Sequence, residues 1–428
     1  MLYSAAKLSH LTAELFALKD ESREPMISYV RLDLSGQLSE TGLLEWQAAT
    51  KKLLQRFPIL SKEFILSEKN YDWKNSKFSL DELNQRIWKW NALSDQDFQN
   101  KYFSVEQAPL LHLKKTDQGL LMAVHHVLID GGSLFNITAF LFSSVLKQNQ
   151  SWQLAEIKEE HFPPGLFLFA VKESLKRFCL SLFSPPVFMG QSTERFSSAG
   201  HIFVARSLAL EKVKKTSGTT MNDLILVAYH QALGKMVAEK NLSLQRISIL
   251  TAINLRQWHK SPEELCNWSS NVACESFSFE RKKTLKQFLQ IIHQRMNAQK
   301  SKVAAFSMLK TLEWADRAGL LLKGRKHRLR YRTPTRIQNG KVKTKGSTFL
   351  DTAILSNVGP LPKDFPGYQF IRHFYCVPPV LPPTSVAIGV TAVGAELNFY
   401  LRASDCHFDQ KKAEILLDIL LKTLTEFT

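Results

Sequence analysis

Apolar residues recur along this chain in two rhythms. From Leu8 to Leu18 they keep helical spacing, and from Met26 to Leu34 they alternate loosely, which predicts an opening helix followed by a strand with two differing faces. Helical spacing returns from Ser39 to Leu54, with Leu43, Leu44, Trp46, Leu53 and Leu54 on one stripe and Ser39 placed as the N-cap. Phe57-Pro58-Ile59-Leu60 breaks that helix. Gly119 then introduces Leu120-Leu121-Met122-Ala123-Val124, a continuous apolar run of the kind found in strands buried on both faces, which ends at His125. After Asp130-Gly131-Gly132, Ser133 is expected to cap a helix running to about Leu146. Strand, short polar loop and helix in that order set loop side chains at a strand's end, where sites commonly sit.

Residues 162–189 read as a bridge. Pro163-Pro164-Gly165 and Pro185-Pro186 bracket a helix with Lys172, Glu173, Lys176 and Arg177 on one side and Leu168, Val171, Leu175, Phe178 and Leu182 on the other. Its apolar side is expected to pack on the protein's own core; the alternatives are a lipid surface or a greasy substrate. Beyond it come a strand near His201, a helix from Thr219 or Thr220 to about Glu239, a strand at Ile247 to Ile253, and helices over Thr284–Val303 and Phe306–Leu322. Apolar runs at Phe349–Leu355, Val386–Val393 and Leu397–Leu401 and a closing helix over Asp409–Phe427 complete the pattern. Strands scattered among helices in both halves, 1–185 and 200–428, predict an α/β protein of mixed sheets rather than a doubly wound sheet.

Composition narrows the class. With 428 residues, 44% hydrophobic and 22% charged, the chain has ample material for a core. No apolar stretch approaches the roughly 20 residues of a spanning helix. The first residues lack the basic cap, apolar run and cleavage site of a signal peptide, so a cytoplasmic protein is expected. The five cysteines are odd in number, widely spaced and without a CxxC pair, which suits reduced thiols. The net charge of +17 favours an anionic partner, and ten of the basic residues, among them Lys323, Arg325, Lys326 and Arg328, fall between Gly319 and Lys345 without one Asp or Glu. Tyr331 is the only Phe, Tyr or Trp in that stretch, too little stacking surface for nucleic acid.

The sharpest feature is His125-His126-Val127-Leu128-Ile129-Asp130-Gly131-Gly132. Adjacent histidines at a strand's end point to opposite faces, so at most one can face a given cavity. The spacing fits no zinc signature and no third ligand cluster appears, so no metal is expected. A neutral imidazole is the natural general base for a hydroxyl or amine. Two structural histidines are the alternative. Asp130 is too near in sequence to act as a simple relay partner and fits better as the residue that fixes the loop, while Gly131-Gly132 let the backbone turn tightly.

The HHxxxDG pattern resembles the active-site signature of the chloramphenicol acetyltransferase-like superfamily. That group includes condensation domains of peptide synthetases, polyketide-associated and alcohol acyltransferases, and wax ester synthase/diacylglycerol acyltransferases. Supporting matches follow in the family's order. Leu8 to Phe16 resembles the opening segment, and Leu53-Leu54-Gln55-Arg56-Phe57-Pro58-Ile59-Leu60 with Phe64 resembles the element after it. Thr220-Met221-Asn222-Asp223-Leu224, Ala252-Ile253-Asn254-Leu255-Arg256 with Asn267 and Ser270-Asn271-Val272, and Leu355-Ser356-Asn357-Val358-Gly359-Pro360 are similar to the later ones. The plant DFGWG motif is absent, and Cys266-Asn267 stands where the family has Gly-Asn.

The resemblance implies two subdomains with a tunnel between them, His126 as base, His125 as a structural residue, Asp130 holding the loop through a salt bridge to Arg256, Gly131 allowing close backbone approach and Asn357 shaping the site. It implies transfer of an acyl group from coenzyme A, or from the phosphopantetheine of an acyl carrier protein, to an alcohol or amine, with no permanently bound cofactor. The phosphates of that donor would suit the basic stretch, as would an anionic membrane. A binding protein that kept the fold without catalysis is the reading from another class.

Overall fold

The computed structural model describes residues 26–66, 71–148, 166–184, 186–187, 200–213, 218–238, 246–255, 265, 269–307, 336–338, 341–343, 351–380, 384–405 and 407–427. The opening segment Leu8–Leu18, most of the helix expected over Phe306–Leu322, and Arg256, Lys323, Arg325, Lys326 and Arg328 lie outside the described residues.

Among the described residues fourteen strands are defined: β1 (Ile27–Leu34), β2 (Lys62–Leu66), β3 (Tyr71–Asn75), β4 (Leu111–Thr116), β5 (Gly119–His125), β6 (His201–Ala209), β7 (Arg246–Asn254), β8 (Ser269–Phe277), β9 (Arg336–Gln338), β10 (Lys341–Lys343), β11 (Ala353–Pro360), β12 (Ile371–Val377), β13 (Val386–Val393) and β14 (Glu396–Ser404). The longer helices are α1 (Leu43–Arg56), α2 (Gly131–Val145), α3 (Leu166–Phe183), α4 (Met221–Ala238), α5 (Leu285–Gln299) and α6 (Gln410–Thr425). The α/β expectation holds. Of the two main sheets, one has four strands in the order β12-β1-β5-β4 and the other six in the order β6-β14-β13-β11-β7-β8, while β2–β3 and β9–β10 form two-stranded pairs. Only the larger is mixed, through the parallel pairs β11–β13 and β11–β7. The smaller is antiparallel throughout.

β12 lies far into the second half of the chain, yet it pairs with β1 from Tyr29 opposite Val377 to Leu34 opposite Ile371. A division at residues 185–200 thus separates stretches of chain but not the two sheets.

The first sheet is buried on both faces, which explains the continuous apolar run of β5. Val30, Leu32, Met122 and Val124 pack under α1 and α2 with Trp46, Leu53, Leu54, Leu134, Ile137 and Phe142. Ile27, Tyr29, Leu121 and Ala123 face the other way and meet Ile354, Tyr375, Val377, Ala387 and Tyr400 between the sheets. On the outer side of the large sheet α4, α5 and α6 close a third core with Leu224, Ile225, Phe288, Ile292, Leu416 and Leu420.

Three local expectations are corrected. Ser39 is not an N-cap: a short helix at Gly36–Glu40 ends beyond it, its hydroxyl donates to the Gly36 carbonyl, and α1 starts after Gly42. The cap of α2 is Asp130, whose carboxylate accepts the Ser133 N–H at 3.0 Å. Asp competes better than a residue inside the first turn because its side chain reaches forward to the N3 amide. On α3, Leu168, Val171 and Leu175 face outward, with Leu168 72% and Leu175 59% exposed. The small Ala170 on the opposite side is buried, so these three apolar side chains do not seat on the core; the side chains of Phe178 and Leu182, expected on the same stripe, lie outside the described residues.

Candidate active site

β5 delivers the two histidines to the edge of the inter-sheet region. The His125 N–H donates to the Leu110 carbonyl at 2.9 Å and the His126 N–H to the Met26 carbonyl at 2.7 Å, so the chain stays anchored to its neighbours as the strand ends. A turn follows, closed by the Leu128 N–H on the His125 carbonyl at 3.0 Å.

The two rings take opposite tautomers. Nδ1 of His126 lies 2.7 Å from the Ile129 carbonyl oxygen, which can only accept, so Nδ1 carries the proton. In the neutral ring the lone pair is then on Nε2. His126 is half-buried. His125 is fully buried, accepts the Val127 N–H on Nδ1 at 3.2 Å and meets the edge of Phe103. Its proton therefore sits on Nε2.

Asp130 is buried at the start of α2, where its charge also complements the helix N-terminus. Burial, with the Asp130 carboxylate adding to it, pushes the Cys376 thiol on β12 up to about 12, so that cysteine is an inert neighbour rather than a nucleophile. Next in sequence, Gly131 lets the second subdomain approach: a Cβ there would come 3.1 Å from Cγ2 of Val358 on β11. The start of α2 and the end of β11 are thereby in contact.

Asn357, beside Val358, is held from two sides. Its Oδ1 accepts the Gly359 N–H at 3.1 Å, and its Nδ2 donates to Oδ1 of Asn222 at the start of α4 at 3.2 Å. Gly359 has φ +93°, a left-handed conformation that breaks the parallel register with β13 and turns the end of β11. The structure thus brings Gly131 and the Asn357–Val358 strand end together beside the histidine turn. Asn222 joins them, although in the sequence it marks only a helix start. The Ile129 carbonyl, which sets the tautomer of His126, had no signal in the sequence, because any residue supplies a carbonyl.

No protein-family model matches the sequence, and no curated protein matches it. Solved structures do. The epimerization domain from the third module of tyrocidine synthetase B aligns over 95% of this chain and 91% of its own at a TM-score of 0.59 and 15% identity. The trichothecene 15-O-acetyltransferase from Fusarium sporotrichioides aligns over 99% of this chain and 94% of its own at 0.65 and 10% identity. The starter condensation domain of rhizomide synthetase in complex with C8-CoA aligns over 99% and 93% at 0.60 and 11% identity. The chain has the fold of the condensation domains and acetyltransferases to which the HHxxxDG stretch pointed.

Proposed function

We propose that the protein is an acyltransferase that moves an acyl group from a thioester, acyl-coenzyme A, to the hydroxyl of a small, lipid-like alcohol. Nε2 of His126 takes the hydroxyl proton as the oxygen attacks the thioester carbonyl. The tetrahedral adduct collapses by breaking the carbon–sulfur bond, and the imidazolium returns the proton to the departing thiolate, giving an ester and a free thiol. No covalent enzyme intermediate and no bound cofactor is needed.

The observation that carries this reading is the 2.7 Å hydrogen bond from Nδ1 of His126 to the Ile129 carbonyl, because it fixes the ring with its basic nitrogen away from the loop. Asp130 holds the turn by capping α2 and, in this proposal, by pairing with Arg256. His125 supports the strand end, Gly131 admits β11, and the second Nδ2 proton of Asn357 steadies the oxyanion. Both substrates enter between the subdomains. Lys323, Arg325, Lys326 and Arg328 hold the donor's phosphates. The exposed face of α3, apolar at Leu168, Val171 and Leu175 and flanked by Lys172 and Lys176, supports peripheral contact with an anionic membrane that supplies the acceptor.

The second reading is a free-standing condensation enzyme whose donor rides on an acyl carrier protein and whose product is an ester or amide. The fold shared with condensation domains favours it. A thiol-release assay separates the two: turnover with acyl-coenzyme A and alcohols supports the first, activity only with loaded carrier protein supports the second. No turnover with either donor across alcohols and amines would overturn both and leave a binding protein.

A further inference from the structure

On the face of the large sheet that looks toward β1, three adjacent strands place polar side chains in two neighbouring rows. Ser404 of β14 is paired with His201 of β6, and its N–H bonds the carbonyl of Ser385, just ahead of β13. One step along the same face Arg402 stands opposite Phe203 and Ala387. Arg402, Ser385 and Ser404 are buried completely or nearly so.

Arg402 is unusual among these. Its Nη1 donates to the Ile27 carbonyl at 2.6 Å, and its guanidinium lies 5.0 Å from the ring of Tyr29 and 5.7 Å from that of Phe203. Among the described residues no carboxylate pairs with it, and Nε and Nη2 make no hydrogen bond. Burial pulls the guanidinium down to about 10, which still leaves it charged at neutral pH. A buried cation with two orphaned donors is expensive unless something compensates it. The hydroxyls of Ser385 and Ser404 are also buried without partners. His201 adds no competing charge, because burial and the neighbouring Arg402 hold its imidazole far below the usual histidine range.

The orphaned pair is chemically specific. Nε–H and Nη2–H form one edge of the guanidinium, and their parallel bonds match the two oxygens of a carboxylate. The serine hydroxyls of the adjacent row supply further donors. We propose that Arg402, Ser385 and Ser404 form a buried binding site for the carboxylate group of a small organic acid. The site is distinct from the histidine turn but close to it along the backbone: Ile27, whose carbonyl takes Nη1, is paired with His125. It does not depend on the acyl-transfer reading.

The test is thermal unfolding of the full chain against acetate, inorganic phosphate and chloride at matched ionic strength. Acetate is expected to raise Tm saturably in the wild type, as a ligand of the native state alone must. Arg402→Met and the double variant Ser385→Ala/Ser404→Ala are expected to weaken acetate binding at least about tenfold. Where Arg402→Met does not fold, the serine variant decides. An unchanged acetate response in the folded variants, or a wild-type response to acetate no larger than to chloride, overturns the proposal. A response to phosphate without one to acetate overturns the carboxylate assignment. In crystals grown with acetate, density for its two oxygens at the Nε–Nη2 edge supports the site, and ordered water alone there counts against it.

Discussion

The carbonyl oxygen of Cys376 lies in the space that a side chain on Gly389 would fill. β12 and β13 belong to different sheets, and this overlap measures how closely the two sheets approach. The conflict is with backbone, so no rotamer change relieves it. Gly389→Ala is expected to destabilise the protein by about 3 kcal/mol or more, as overpacking against a rigid neighbour does. Urea denaturation checks it, and a change within about 0.5 kcal/mol would mean that the sheets slide apart freely.

His126→Ala is expected to lower turnover by roughly 10²–10⁴-fold, the usual worth of a general base, while circular dichroism and Tm stay near wild type. Undiminished turnover removes the base assignment. His125→Ala is expected to act through the fold, lowering Tm, since that ring is fully buried against Phe103.

Asp130→Ala removes the side-chain acceptor of the Ser133 amide and is expected to cost about 1 kcal/mol or more in stability together with a loss of rate. Asp130→Asn keeps an oxygen for the cap and is expected to recover most of the stability. Full stability in the alanine variant with impaired turnover would point instead to a direct chemical role for the carboxylate.

Acid should destabilise the protein early. Burial holds His112 down at about 3, with Lys89 adding to the effect, and the ring lies tilted against Trp90 with their centroids 4.0 Å apart. The unfolded chain takes up this proton near pH 6.5, whereas the folded protein takes it up only near 3. Stability therefore falls as pH drops from about 6.5 toward 3, by up to about 1.4 kcal/mol per pH unit for this one group. His112→Phe, which fits the aromatic surroundings, is expected to flatten that slope in urea titrations at pH 4 to 7. Equal slopes for the two proteins would show that another group titrates.

Among the described residues no helix is long and apolar enough to cross a membrane, and the proposed lipid contact is the exposed apolar face of α3. Leu168→Glu/Leu175→Glu is expected to reduce co-sedimentation with phosphatidylglycerol vesicles several-fold at unchanged Tm. Neutral phosphatidylcholine vesicles should bind the wild type weakly. Equal binding by variant and wild type would remove α3 as the contact.

The sequence was most legible where one segment sufficed. The Leu120–Val124 run predicted a doubly buried strand because both faces of β5 meet apolar neighbours, and the HHxxxDG stretch lies within a single strand-turn-helix unit. Features that depend on distant partners were silent. Gly389 sits inside an unbroken apolar run, and only the Cys376 carbonyl explains it. β12 reads Ile-Arg-His-Phe-Tyr-Cys-Val, with exposed Arg372 breaking the pattern before four buried residues, and nothing local tells it to pair with β1. The stripe on α3 shows the opposite failure: helical spacing reveals which residues share a side, but not which side the rest of the protein covers.

The crossing of β12 into the first sheet bears on how the molecule is made. A ribosome finishes β1, β4 and β5, and the histidine turn with them, long before residues 371–377 emerge. Until then β1 presents bare amides and carbonyls along one margin, between two apolar surfaces, to whatever passes. A chain cut short of residue 371 would keep the whole histidine turn and still be expected to clump, because the strand that seals it is synthesised late.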